Sequence, residues 1–279
     1  MAIVISAVIA SALPLILAAI GESLLERTGR VNLGLEGIMA FGAAAGALAG
    51  GLTGSLIAGF AAAAAAGIIL TLIYLAMVDV MKADMIVSGL LIFFAGIGLG
   101  DLLGNYIAGR PGPALLDLTW FFIGSLLLGA ILHVALYKTP YGVMLRAVGE
   151  SESIAKDRGL NTIRFRVAAA IATGVLAGIA GYLMVAGLSY GKWYSGVTAG
   201  MGWVALGVVI LGYWTPLGSA LAGVVVGVLF SLRASIAAAT GFPELVDTIP
   251  YISVLVMLAV GGVVYRRLGV RPPASIWRG

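Results

Sequence analysis

Residues Tyr137–Arg166 read YKTPYGVMLRAVGESESIAKDRGLNTIRFR, and what this stretch interrupts decides the fold. It carries Lys138, Arg146, Lys156, Arg158, Arg164 and Arg166, six of the sixteen Lys and Arg in the chain. Uncharged apolar runs flank it on both sides. A short helix is expected inside it. Ser151 or Ser153 is placed to be the N-cap, Glu150 and Glu152 lie near the first turn, Lys156 and Arg158 fall in the last, and Gly159 follows the end. That order of charge suits the helix dipole, and glycine suits the left-handed position beyond a helix. A polar, self-capped helix between apolar runs reads either as a docking element for a soluble partner or as a solvated loop held on one side by positive charge.

The flanks settle the class. The chain of 279 residues is 61% hydrophobic and 10% charged, with a mean hydropathy of +1.12. Soluble domains average about 25% charged. Uncharged runs such as Gly37–Val78, Val167–Gly191 and Trp193–Leu232 require an all-α polytopic membrane protein. The first apolar run continues to Gly21 without a basic segment before it, so it reads as a span, not a cleavable signal. The 41 glycines include GxxxG pairs at Gly46/Gly50, Gly96/Gly100, Gly174/Gly178 and Gly223/Gly227, which imply close helix packing. Zero cysteines exclude disulfides and Cys-ligated metal. The net charge of +4 reflects loops on one side of a membrane, not a nucleic-acid partner.

Spans of about 20 residues give about nine helices. They are expected at Ala2–Leu25, Leu33–Ala49, Leu56–Val78, Met85–Ala108, Leu118–Tyr137, Val167–Leu188, Trp203–Tyr213, Leu217–Leu232 and Leu245–Tyr265. Each half runs helix, glycine-rich polar break, short helix, turn, then two spans. The breaks are Glu26–Gly37 and Ser189–Gly202; the turns are Gly50–Ser55 and Trp214–Ser219. The chain therefore divides into a first repeat at about 2–108, a linking helix 118–137, a cytoplasmic loop 138–166 and a second repeat at about 167–267. Interrupted helices at corresponding positions point to a transport pathway between inverted repeats. With the central loop in the cytoplasm, thirteen Lys and Arg fall inside and three outside, so the N-terminus is expected outside and the C-terminus cytoplasmic.

Catalytic readings are weak. Gly187–Lys192 (GLSYGK) is one spacer short of a phosphate-binding loop and has Trp193 where Ser or Thr belongs. Gly187–Gly191 fits G-x-S-x-G, but helix precedes it and the single histidine, His133, lies far along the chain. His133 reads as a buried hydrogen-bonding residue. Glu22, Glu26 and Glu36 are ionisable groups at span ends; the plainer expectation is a boundary ion-pair cluster with Arg27 and Arg30. Asp101 and Asn105 sit one turn apart. The breaks are better sites, because a helix starting inside the membrane aims free N–H groups at a lumen. Asn32, Gly34 and Glu36 in the first, and Tyr190, Trp193, Tyr194 and Ser195 in the second, are the candidate substrate pathway. Aromatic faces with amide or hydroxyl groups suit a planar polar solute; an interfacial aromatic belt is the alternative.

Glu22–Gly42 (ESLLERTGRVNLGLEGIMAFG), Val87–Leu91 (VSGLL), Gly142–Leu160, Gly200–Pro216 (GMGWVALGVVILGYWTP) and Arg271–Ser275 (RPPAS) resemble the membrane permeases of ABC importers for nucleosides, simple sugars and branched-chain amino acids. The ERTGRVNLGLEG block is closest to the nucleoside-type subgroup. The resemblance implies a plasma-membrane transport subunit with no catalytic residue, no metal and no cofactor of its own. ATP and Mg would sit on a separate ABC ATPase subunit. It implies a second permease subunit, an identical or different copy, and an extracytoplasmic solute-binding protein, all around membrane lipid. Gly149, Glu150, Ser151, Glu152, Ala155, Arg158 and Gly159 then resemble the coupling helix that meets the ATPase, although the usual loop pattern survives only as Glu152, Ala155 and Gly159. The implied solute is nucleoside-like, with sugars, riboflavin-like heterocycles and branched-chain amino acids as alternatives. A secondary transporter or channel without an ATPase is the competing class. An intramembrane enzyme is disfavoured by the lack of spaced acid pairs.

Overall fold

A computed structural model describes residues 2–240 and isolated positions beyond them; the side chains of residues 2–4 and 233–240 are not described. The ninth expected helix, its flanking arginines and the RPPAS tail lie essentially outside these residues. The described residues are all-helical, without a strand: α1 Ala2–Glu26, α2 Leu35–Thr53, α3 Leu56–Leu75, α4 Met85–Gly104, α5 Thr119–Lys138, α6 Pro140–Glu150, α7 Glu152–Asp157, α8 Thr162–Leu183, α9 Met201–Leu211 and α10 Pro216–Thr240. Six helical segments are long and apolar enough to span a membrane, and α9 and Pro216–Leu232 are shorter apolar helices. The polytopic helical class is as expected.

Several boundaries move. The turn expected over Gly50–Ser55 is only Gly54–Ser55: Gly54 takes φ +67° as the C-cap of α2, and Ser55 caps α3. The single helix expected in the central loop is two. Thr139 accepts the Gly142 N–H and Pro140 occupies the first turn, so α6 starts there. Glu150 therefore ends α6 and does not open α7. Ser151 is the N-cap of α7, accepting from the Ile154 N–H, and Gly159 follows it at φ +79°. Asn161 caps α8, so Arg164 and Arg166 belong to a helix and not to a loop. Both α3 and α8 end in a π-helical turn, Ala76–Val80 and Met184–Leu188.

The packing exchanges the two halves of the chain. α3 lies along α8, and α1 lies along α10, so the third helix of each half packs on the first helix of the other. α1 and α8 pack antiparallel: Leu24 shares a groove with Ala168 and Ala172, Gly21 abuts Thr173, and Leu17 shares a cavity with Leu176 and Ile179. Small residues permit this. A Cβ on Gly67 would lie 2.0 Å from the Gly174 carbonyl, and one on Gly178 would lie 2.1 Å from the Ala63 carbonyl. Backbone contact of this kind replaces the hydrophobic drive that lipid removes. α1 is mostly buried inside the protein and α5 mostly faces outward.

Candidate functional site

Two irregular segments interrupt the bundle. The first, between α1 and α2, turns at Thr28–Gly29, with Gly29 at φ +82°. The second, between α8 and α9, places Tyr190, Gly191, Gly196, Ala199 and Gly200 at positive φ. α9 has 11 residues, about 16 Å of helix, roughly half the 30 Å apolar thickness of a bilayer. It starts inside the bundle.

The two breaks meet at Glu36. This residue opens α2, is 4% exposed, and reaches the first turn of α9. Its Oε1 accepts from Thr198 Oγ1 at 2.6 Å and from Gly200 N at 2.9 Å, and its Oε2 accepts from Gly202 N at 2.6 Å. A Cβ on Gly202 would stand 2.4 Å from Glu36 Cα. The N-termini of α2 and α9 thus converge on one carboxylate. Both leave N–H groups without helical partners, and both present the positive end of a dipole, so an anion is favoured there.

Beside Glu36 lies a recess of about 120 Å³ bounded by Ile97, Gly100, Asp101, Trp193, Tyr194 and Thr198, among others. Asp101 accepts a hydrogen bond from Ser195 Oγ at 2.8 Å. Trp193 is nearly buried and packs on Gly104, where a Cβ would lie 2.1 Å from the indole Cε2. Tyr194 is half-exposed. Tyr190 stands apart from this recess, in a separate cavity with Ser6 and Asp117. Asn32 is fully buried: its N–H donates to Glu22 Oε1 at 2.8 Å and its Oδ1 accepts from Gly34 N at 2.9 Å. Gly34 fits only because it has no side chain, with Ile92 Cγ2 2.6 Å from a built Cβ. Of the first break's candidates, Glu36 alone lines this recess.

The expected boundary ion-pair cluster does not form. Glu22 and Glu26 point into the core from α1, while Arg27 and Arg30 take other partners. Glu26 accepts from the Trp214 indole at 2.6 Å. Arg27 donates to the carbonyls of Tyr213 and Trp214, two residues held at positive φ between α9 and α10. Arg30 pairs with Asp79 at 2.5 Å. His133, read as a buried hydrogen-bonding residue, is half-buried instead. Its Nδ1 has no hydrogen-bond partner, and its ring lies 4.7 Å from that of Tyr137.

In the central loop, Ala155 packs inward with Leu136, Leu145, Val148 and Phe165. Gly149 also faces inward, its built Cβ 2.0 Å from the Arg27 carbonyl. The outward side of α7 carries Ile154, 62% exposed, together with Ser153, Lys156, Arg158 and Gly159. Ile154 was not among the sequence candidates; it is the apolar residue on the outward face of this six-residue helix.

A full-length α2 and a short α9 that begin at one buried carboxylate, inside an all-helical, multi-pass bundle, suit a membrane transport subunit. The chain belongs to the family described as branched-chain amino acid transport system / permease component, which matches residues 4–260. It is 29% identical over 262 residues to the guanosine ABC transporter permease NupQ of Bacillus subtilis, covering 83% of this chain and 82% of that one. It is 28% identical to the nucleoside ABC transporter permease NupC of Lactococcus lactis, covering 88% of each. A putative glucose ABC transporter permease of Haloferax volcanii is 27% identical over 82% of this chain and 76% of that one. No solved structure gives a significant match.

Proposed function

We propose that this permease carries a nucleoside-class solute into the cell and is driven by a separate ATPase that seats on the outward face of α7. The observation that carries the reading is the convergence of α2 and α9 on Glu36, beside a recess with aromatic faces and the Asp101–Ser195 pair. A planar base would stack on Trp193 or Tyr194, and Asp101 would accept from a sugar hydroxyl or ring N–H. The nucleoside assignment also draws on the similarity to a guanosine permease and a nucleoside permease. At about 120 Å³ the recess is smaller than the 300–1,000 Å³ of typical ligand pockets. A facing permease, identical or different, therefore completes the pathway in this reading, and a solute-binding protein delivers to its outer mouth. Residues 2–108 and 167–267 are the two repeats, joined by helix 118–137 and loop 138–166. The loop is cytoplasmic and the N-terminus external, in agreement with the charge count.

The test is uptake into proteoliposomes holding the reconstituted complex, with labelled guanosine, cytidine and glucose. ATP-dependent nucleoside uptake that glucose does not compete for is the expected result. Glucose uptake without nucleoside uptake would move the chain to the sugar branch, and uptake with no ATPase present would make it a secondary transporter. Ile154→Glu and Arg158→Glu are expected to release the ATPase while leaving membrane insertion intact.

A further inference from the structure

Four charged side chains from four separate elements close into a ring. Arg166 of α8, 1% exposed, donates through Nη1 to Asp79 Oδ1 at 3.0 Å and through Nη2 to Glu152 Oε2 at 2.7 Å. Arg30 of the first break reaches the same two oxygens, at 2.5 Å and 3.4 Å. Asp79 belongs to the π-helical end of α3, and Glu152 opens α7. Arg166 also donates to the Thr28 carbonyl at 3.5 Å. Lys156 adds an outer pair to Glu152 at 2.7 Å. The ring itself holds two cations and two anions, so it is neutral as a unit and costly to part. Removing Asp79 or Arg166 leaves a buried partner charge uncompensated.

The ring adds a direct polar link from α7 to the first half, beside the packing that runs through α6 and α8. The apolar contacts of α7 run to α5, α6 and α8 through Ala155 and its cluster. Among the described residues Glu152 is the α7 side chain that reaches the first half of the chain, at Arg30 directly and at Asp79 through Arg166. Arg30 and Asp79 in turn border the first break and the end of α3.

We propose that Arg30, Asp79, Glu152 and Arg166 form a rigid tie that makes the first half follow any displacement of α7, so that the stroke received at the docking helix reaches the Glu36 junction from both sides. The four are positioning residues; none touches solute. The tie rests on the docking reading of α7 given above. Its failure is separable, because Ile154→Glu reads docking alone. If that variant keeps the ATPase bound, the docking face is wrong whatever the ring does.

The ring is tested with Asp79→Asn in the complete transporter. Expected is an ATPase that co-purifies and hydrolyses ATP at the basal rate, with solute moved per ATP hydrolysed down at least tenfold. An unchanged ratio overturns the proposal. Should Asp79→Asn fail to assemble, Glu152→Gln at the partly exposed rim decides by the same ratio, since it spares the Asp79–arginine pairs. A merely structural role would not shift a second readout. The chain has no cysteine, so spin labels at Asp157→Cys and Met81→Cys report one distance across the tie. That distance is expected to stay constant between nucleotide-free and ATP-bound states, and to change with ATP in the Asp79→Asn background. An ATP-dependent change in the otherwise unaltered chain overturns the tie.

Discussion

Replacing Glu36 by glutamine asks how much of the junction depends on its charge. In the structure Oε1 serves Thr198 and Gly200, and Oε2 serves Gly202. Glutamine keeps an acceptor for the first two and turns an NH2 group toward the Gly202 N–H, donor against donor. One charge-assisted bond is lost, worth about 1.5–3 kcal/mol. Loss of the negative charge at two helix N-termini adds about 0.3–1 kcal/mol each. Together these come to about 2–5 kcal/mol, and at about 2–4 °C per kcal/mol for a chain of this size the melting temperature falls by about 4–20 °C. The assay is thermal unfolding of the detergent-solubilised complex, paired with uptake into vesicles. Uptake is expected to fall further than stability, because the start of α9 is no longer fixed beside the recess. A Glu36→Gln protein that melts and transports like the parent would refute the role given to this carboxylate.

Other outcomes follow from neighbouring features. Gly178→Ala sets a methyl against the Ala63 carbonyl and pries α3 from α8, a strain of about 1–3 kcal/mol; Gly98→Ala, inside α4 with nothing within 4 Å, should instead raise the melting temperature slightly, through the roughly 0.5–1 kcal/mol that alanine gains over glycine in a helix. Trp214→Phe removes a donor from the buried Glu26 carboxyl and is expected to destabilise by about 1–3 kcal/mol in a denaturant or thermal series. The Arg166 hydrogen bond first, helped by Lys156, holds the Glu152 carboxyl down at about 2, from an ordinary 4.5. A depressed carboxyl contributes fully above 4.5 and loses its contribution as the pH falls toward 2. The melting difference between the parent and Glu152→Gln should therefore be flat from about pH 5 to 8 and shrink only below about 4.5.

The spans were legible because lipid demands long uncharged runs, and no soluble fold does. The Ser151 cap and the Gly159 stop were legible because capping is local. So was the existence of both breaks, where glycine and polar residues cluster. The start of α6 carried a readable signal too, Thr139 followed by Pro140, which the basic character of the loop obscured. Long-range pairing was not readable. Glu36 meets Gly202 across 166 positions and Asp79 meets Arg166 across 87, and neither spacing leaves a periodic trace. For the same reason proximity misled at Glu22 and Glu26, whose nearest arginines in sequence bond the Tyr213 and Trp214 carbonyls and Asp79 instead. Facing direction was equally hidden on α7: six residues are too few for a periodicity to tell inward Ala155 from outward Ile154.

The exchanged packing also sets a problem for biogenesis. α1 emerges first and carries Glu22 and Glu26, yet the indole that serves Glu26 is synthesised 188 residues later. At about 5–20 residues per second, that is a wait of roughly 10–40 seconds. During that interval two carboxyl groups must be sheltered at the insertion machinery, or protonated in lipid, before α10 arrives to close over α1. Neither half supplies its own missing wall, so a truncated product ending before α9 should be cleared by proteolysis and not accumulate as a half-permease.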